Sequence, residues 1–182
     1  QESTLQFTNN MRLKQSNGQF FRESRNHTEK HRIWLNLSDV TRNYNQILIG
    51  YVSELTTGIN HDLNAKMFDY NGNAIYSLID NEKLVIQGRS LPFESGDVVP
   101  LGFKALHQGN FSISIDKADG IFEQEQAVYI KDLDLHTIHD LNQSEYTFFS
   151  ETGEYNNRFQ IVYTLNALNI DQSESNNNWI AY

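Results

Sequence analysis

The sequence contains no cysteine, and among its 182 residues there are just two prolines and ten glycines. Without cysteine the chain has no disulfide bonds, no zinc–thiolate centre and no thiol nucleophile. Aromatic residues, in contrast, are plentiful, with 11 Phe, 9 Tyr and 2 Trp. This apolar surface is enough to offset the loss of chain entropy on folding, so the composition is that of a folded domain.

Basic residues are outnumbered, with 14 Lys and Arg against 23 Asp and Glu, which gives a net charge of −9. An acidic domain without a Lys/Arg stripe repels phosphate backbones, so nucleic acid is not an expected partner. No apolar run approaches the roughly 18 residues that a membrane-spanning helix needs. No basic amphipathic helix is visible either, and we expect no membrane insertion and no binding to anionic membranes.

Apolar and polar residues alternate with a period of two along most of the chain, which is typical of half-buried β-strands. The pattern is clearest in residues 111–116 and 32–37. Such segments number ten to twelve and no helices alternate with them, which indicates an all-β fold, a β-sandwich of jelly-roll type. We assign the sandwich to residues 1–166 and a polar linker, followed by the start of a further domain, to residues 167–182.

Asn71-Gly72 separates two strand-like segments, residues 66–70 and 73–79, and predicts a type I′ β-hairpin. Oxygen-bearing side chains alternate at this turn as ligands do in calcium loops, although the glycine falls two positions earlier than an EF-hand requires. A hairpin explains the residues without an ion, so calcium is the one cofactor considered and no other is predicted. The candidate calcium ligands are Asp69, Asn71 and Asn73.

A second polar cluster follows Thr56-Thr57-Gly58 and offers amide, imidazole and carboxylate groups in one loop. One hypothesis is a loop site for a hydroxylated ligand or a metal. The alternative is an Asx-rich turn, in which short polar side chains bond to their own backbone. The candidate ligand-binding residues are Asn60, His61, Asp62 and Asn64.

Trp34 shares one face of its predicted strand with Arg32 and Asn36, opposite to Ile33 and Leu35. On an exposed face the indole would form a flat platform for a sugar ring or a partner. On a central strand with both faces covered it would be buried in a second layer, and the usual burial of tryptophan favours this position. Trp34 is kept as a candidate ligand-binding residue.

Catalysis has no positive signal in this sequence. A glycosidase needs two carboxylates about 5 to 9 Å apart, and in such an acidic chain some pair is always available. A G-x-S-x-G elbow and a Gly-rich phosphate loop are both absent from the sequence. We therefore predict no catalytic residue, with a glycosidase or lyase-like domain as the alternative.

Several stretches, spread over roughly residues 4–165, carry a resemblance to a known family of modules. The most specific stretch is residues 99–105, Val-Pro-Leu-Gly-Phe-Lys-Ala, in which Leu101 and Phe103 are expected to point inward. Arg158, before the final strand, is expected to anchor a carboxylate at the end of the sandwich. Further stretches of the resemblance are residues 32–37, 45–51, 84–89, 109–113, 128–132 and 157–159.

These stretches resemble a module common in secreted Bacteroidota proteins, which is similar to the β-sandwich that precedes the C-terminal sorting domain of type IX secretion substrates. The resemblance implies export across the outer membrane, followed by release or attachment at the cell surface. It also implies that residues 171–178 are the linker, that residues 179–182 begin the sorting domain, and that the secretion machinery is a partner through that domain. It supplies no catalytic motif.

Together these features predict a non-catalytic module of a secreted or cell-surface bacterial protein that serves adhesion or carbohydrate binding. Its expected partner is a glycan or another surface ligand. The alternatives are a structural or assembly module, which presents neighbouring domains or associates through its sheet edges, and a glycan-active enzyme domain.

Overall fold

A computed structural model describes residues 29–41, 44–53, 63–68, 71–123 and 126–165, so the predicted linker at 167–182 lies outside the described residues. These ranges form 11 strands and one 3₁₀ turn, which confirms the all-β fold with ten to twelve strands. None of their helical segments is long and apolar enough to cross a membrane. The strands are β1 (Lys30–Asp39), β2 (Tyr44–Val52), β3 (Ala65–Lys66), β4 (Ala74–Ile79), β5 (Glu82–Ser90), β6 (Val98–Ala105), β7 (Gly109–Asp119), β8 (Tyr129–Asp132), β9 (Thr137–Asp140), β10 (Tyr146–Ser150) and β11 (Gly153–Val162), and the 3₁₀ turn spans Gly120–Glu123.

The strands follow the order β10-β7-β1-β2-β5-β4-β6-β11-β8-β9, and β3 pairs with β5 off this path. Every pairing is antiparallel except that of β2 with β5, so the sheet is mixed and not purely antiparallel as in a jelly roll. The sheet curls so that strands far apart in this order, such as β10 and β11, lie close together, and it forms a nearly closed, barrel-like structure. Phe148 on β10 packs against Phe159 on β11, with 4.7 Å between ring centroids.

The core lies between the facing layers and is rich in aromatic rings. Phe103 occupies its centre, with ring centroids 5.1 Å from Phe111 and 5.2 Å from Phe148. Both Leu101 and Phe103 are fully buried, which confirms their predicted inward orientation. Pro100 is exposed and lies beyond the stretch of β6 that β4 pairs with, so its missing N–H group leaves no gap in that ladder.

The hairpin predicted at Asn71-Gly72 is wrong. β3 pairs with β5 and not with β4, and Asn71-Gly72 forms a bend between them. The tight turn that leads from β4 to β5 is instead Asp80-Asn81, where both residues have positive φ angles of 49° and 67°. Asp and Asn adopt left-handed conformations more readily than other non-glycine residues, so this pair can form a turn of the type that favours hairpins.

The carboxylate of Asp132 ties β8, β10 and β11 together and is completely buried. It accepts hydrogen bonds from Arg158 Nη2 and Tyr146 Oη, both at 2.9 Å, and from the backbone N–H groups of Asp134 and Leu135 at 3.0 and 3.2 Å. Burial alone would raise the pKa of Asp132, but the hydrogen bonds from Arg158, Leu135 and Tyr146 together lower it below its usual range.

The guanidinium group of Arg158 is held as firmly as the carboxylate. It donates to the carbonyl oxygen of Phe149 at 3.2 Å, and its central carbon lies 4.8 Å from the ring centroids of both Phe148 and Phe159. The expectation that Arg158 anchors a carboxylate is therefore confirmed. Because both charges are paired, the network closes the sheet without leaving a buried charge unpaired.

We predict that Asp132→Asn lowers the free energy of unfolding by about 3 to 5 kcal/mol, because it leaves the buried guanidinium of Arg158 without its counter-charge. Asp134→Asn is the matched control, since its exposed carboxylate lies 3.8 Å from Arg158, and it should change stability little. Urea unfolding at pH 7 measures both. Equal stability of the two variants would contradict the structural role of Asp132.

The ion pair of Asp132 and Arg158 makes the free energy of unfolding depend on pH. The folded-state pKa of Asp132 is lowered, so its contribution to stability is fully present above the unfolded pKa of about 4 and is lost as the pH falls through the folded-state value. Unfolding curves between about pH 5 and pH 2 should therefore show an acid-dependent loss of stability that is smaller in Asp132→Asn.

Candidate functional site

The solvent side of strands β10, β7, β1, β2 and β5 forms one continuous surface, which we call the outer face. On β1 the residues Ile33, Leu35 and Leu37 are buried in the core, so the residues between them point to the opposite side. The same alternation holds on β7 and β10. The outward residues of the outer face include Trp34, Asn36, Ser38, Gln46, Leu48, Ile86, Asn110, Ser112, Ser114, Lys117, Thr147 and Phe149.

Strand register sorts these side chains into rows that run across the sheet. Neighbouring rows are about 7 Å apart, because two residues along a strand span that distance. The rows differ in chemistry, and each is named after its most characteristic side chains. The aromatic row contains Lys117, Trp34, Leu48 and Ile86, the amide row Ser114, Asn36 and Gln46, and the hydroxyl row Thr147, Ser112 and Ser38.

The amide row is held by hydrogen bonds across three strands. Gln46 Nε2 donates to Asn36 Oδ1 at 2.8 Å and to Asp116 Oδ2 at 3.0 Å. Asp116 can reach Gln46 because β7 has a bulge here: Lys117 pairs with Trp34 and Ile115 pairs with Leu35, which leaves Asp116 unmatched. The bulge thus brings a carboxylate to the edge of the amide row.

The hydroxyl row borders a concave region of about 530 Å³. Ser38 Oγ and Ser112 Oγ lie 3.3 Å apart at its floor, and Asn110 and Glu145 contribute to its walls. Beside it Phe149, which pairs with Asn110, exposes 54% of its surface. The region therefore offers hydroxyl, amide and carboxylate groups next to an exposed aromatic ring.

Trp34 is half-buried. The complete burial in a second layer that its residue type favoured is not observed. None of the strands in the described ranges covers the outer face above it. Two cations lie against the ring instead, with Arg32 Cζ 4.8 Å and Lys117 Nζ 5.2 Å from a ring centroid. Arg32 is held in place by Asp119, to which its Nε donates at 2.9 Å. It also lies across Gly50, where an added Cβ would be 3.3 Å from Arg32 Cγ.

The predicted loop cluster is only partly described, because Asn60, His61 and Asp62 lie outside the described residues. The Asn64 side chain accepts a hydrogen bond from the Gly88 N–H on β5 at 2.7 Å, while its Nδ2 is buried and has no partner in the described part of the chain. Strand β2 separates β5 from β1, which places Gly88 about 10 Å from β1. Asn64 and Trp34 are therefore not in one contact site.

Of the predicted calcium ligands, Asp69 lies outside the described residues, and Asn71 is exposed in the bend. The Asn73 side chain is engaged at both ends: its Oδ1 accepts from the Leu106 N–H at 2.9 Å and its Nδ2 donates to Asp39 Oδ2 at 3.1 Å. Within the described ranges no group of three or more His, Asp or Glu side chains could hold a metal ion.

The sequence-based prediction of the site missed the amide row partner Gln46 and the hydroxyl row. The polar residues at positions 110, 112 and 114 indicated an exposed strand face, but the sequence of one strand does not show which strands lie beside it. Register between β1, β7 and β10 was needed to bring Ser38, Ser112 and Thr147 together.

A comparison with protein families matches residues 1–163 to a family described as "Domain of unknown function (DUF8693)". No curated protein and no solved structure matches the chain.

Trp34 fluorescence should report the state of Asp119. Burial raises the pKa of Asp119, but its hydrogen bond and charge interaction with Arg32 lower it below its usual range. In a Trp179→Phe background, which leaves Trp34 as the one tryptophan, acid titration should change the emission with a midpoint below about pH 4, as Arg32 is released from Asp119.

Asp119→Asn should abolish this acid transition at Trp34, and Asp116→Asn is the matched control that should retain it, because Asp116 contacts Gln46 and not Arg32. A transition that persists in Asp119→Asn would show that Asp119 does not position the cation beside the ring.

Proposed function

The chain belongs to this family of unknown function, and we propose that it is a non-catalytic module of a secreted or cell-surface bacterial protein that binds carbohydrate and serves adhesion. The outer face supports this proposal, because its aromatic, amide and hydroxyl rows follow one another on one sheet surface. Export by type IX secretion belongs to the same proposal and is supported by the sequence resemblance alone.

Sugars need this combination of groups. Each hydroxyl group of a sugar both donates and accepts hydrogen bonds, and Asn, Gln, Ser and Thr side chains can do the same. The apolar side of a sugar ring needs a flat apolar surface, which an indole provides. Trp34, Asn36 and Ser38 follow one another at two-residue spacing on β1, so one ligand lying along this strand can use all three.

The two cations at Trp34 define the side from which a ligand can approach. Arg32 is fixed by its ion pair with Asp119. Lys117 is exposed and forms no ion pair among the residues that the structure describes, so it can move away from the ring. A ligand is therefore expected to enter from the β7 side of Trp34, next to the amide row.

Charge narrows the class of glycan. The chain has a net charge of −9, and Glu145 and Asp39 line the concave region beside the hydroxyl row. Both carboxylates disfavour sulfated or sialylated ligands, and the exposed carboxylate of Glu145 can accept hydrogen bonds from the hydroxyl groups of a neutral one. We therefore expect neutral oligosaccharides as ligands.

A second function, assembly through the sheet edges, is favoured by the two terminal strands of the sheet. In the described part of the chain β9 pairs with β8 alone and β10 with β7 alone. Exposed edge strands can pair with another chain. Large apolar side chains are exposed near both edges, namely Leu135 beside β9 and Phe149 on β10.

A glycan array tests the proposed function. We expect binding to neutral oligosaccharides, and Trp34→Ala should weaken it by about tenfold, since aromatic contacts of this kind contribute about 1 kcal/mol or more. Asn36→Ala should weaken it by a similar or smaller factor through the loss of one hydrogen-bonding side chain. Titration calorimetry with the strongest array ligand gives the affinities.

Two controls accompany these variants. Trp34→Phe keeps an aromatic ring and should retain most of the binding, and Thr152→Ala removes an exposed hydroxyl in the turn before β11, away from the outer face. The absence of binding by the folded protein, or unchanged binding in both Trp34→Ala and Asn36→Ala, would contradict the proposal. In the first case, a sedimentation experiment that detects self-association would support assembly instead.

A further inference from the structure

A second cavity of about 550 Å³ lies beside the last residues of β5, and it is distinct from the outer face. Its volume falls within the range of small-molecule sites, about 300 to 1,000 Å³. Gln87 and Arg89 on β5, Tyr51 on β2 and Asp97 contribute to its walls. In the parallel register Gln87 pairs with the buried Ile49, so its side chain points inward, to the side of the sheet opposite the outer face.

Gln87 has a buried carboxamide group whose polar atoms are both unsatisfied. The residue is 0% exposed, and neither Nε2 nor Oε1 has a hydrogen-bond partner among the residues that the structure describes. The contrast with Asp132, which is equally buried and accepts several hydrogen bonds, shows that this fold can satisfy buried polar groups elsewhere. Buried polar groups without partners are rare in native proteins and call for an explanation.

The charged groups of the cavity wall already satisfy one another. Asp97 accepts hydrogen bonds from Arg89 Nε and from Tyr51 Oη, both at 2.7 Å. Glu94 adds an exposed carboxylate to the lining. With one cation and two carboxylates, the wall disfavours an anionic ligand and leaves Gln87 as the group that lacks a partner.

A ligand that satisfies Gln87 must offer an acceptor and a donor side by side, because the carboxamide presents its N–H and C=O groups on one edge. A primary carboxamide has this arrangement and pairs with Gln87 through two hydrogen bonds. The side chains of Ile79, Leu91 and Pro92 line the same cavity and suit an apolar body. Rotation about the side-chain torsions of Gln87 can turn its carboxamide toward the ligand without movement of β5.

We propose that this cavity binds an uncharged small molecule that carries a planar primary carboxamide on an apolar body, with Gln87 as the residue that recognises the amide. The site is separate from the carbohydrate-binding face, because Ile86 and Gln87 are neighbours on β5 that point to opposite sides of the sheet. Loss of one site therefore leaves the other in place.

Benzamide is a suitable probe, and benzoate is its anionic counterpart of the same shape. Titrated into the ¹⁵N-labelled protein, benzamide should give saturable shifts of the Gln87 side-chain NH₂ and the Arg89 Nε–H resonances, and benzoate should bind at least about tenfold more weakly. Gln87→Met keeps the side-chain length and removes the amide, and it should weaken benzamide binding by at least about tenfold. Its thermal unfolding should match or exceed that of the native chain, because no unpaired amide remains buried.

Gln143→Met is the matched control, since Gln143 is exposed in the turn before β10, and it should bind benzamide as the native chain does. Equal affinity for benzamide and benzoate, native affinity in Gln87→Met, or no shift at Gln87 up to the solubility limit of benzamide would each overturn the proposal. Oligosaccharide binding by Gln87→Met, measured in parallel, should be unchanged, which separates a failure of this site from a failure of the outer face.

Discussion

The burial of Ile33, Leu35 and Leu37 against the aromatic core fixes the direction of every side chain on β1. Since successive residues of a strand point to opposite faces, this burial directs Trp34 and Asn36 outward. A shift of the strand register by one residue would move the three apolar side chains into water, so the register is fixed. Strands β2 and β7 pair with β1 on its two sides and copy the alternation. The outer face is thus a consequence of core packing, and the hydrogen bonds of Gln46 to Asn36 and Asp116 add to the alignment of its amide row.

The buried polar groups of this fold differ in whether their hydrogen-bonding atoms have partners. Asp132 and Arg158 satisfy each other and their neighbours, and together they close the sheet where β8, β10 and β11 meet. Gln87 is as deeply buried and satisfies neither of its polar atoms. A network with all partners stabilises the closed sheet, whereas an unsatisfied amide beside a cavity favours the binding of a complementary ligand.

The strands could be predicted because period-two alternation is a local signal, and residues 111–116 show it in full. Pairing could not be predicted, since it depends on partners far apart in sequence. Asn71-Gly72 is the stronger local hairpin signal, yet the β4–β5 hairpin turns at Asp80-Asn81. Trp34 was placed on the correct face of β1, but its half-buried state depends on Lys117 from β7 and on Arg32, which Asp119 holds. Neither the sequence of β2 nor that of β5 indicated that these two strands pair in parallel.

Carbohydrate binding by the outer face is tested most directly by a map of amide chemical-shift changes when the isotope-labelled protein is titrated with the neutral oligosaccharide that binds most strongly on the array. We expect the largest changes on the Trp34 indole N–H and on alternate residues of β1, β7 and β10, with residues of the core side unaffected. Changes that cluster at the β5 cavity or at the β9 edge, with the outer face silent, would contradict it.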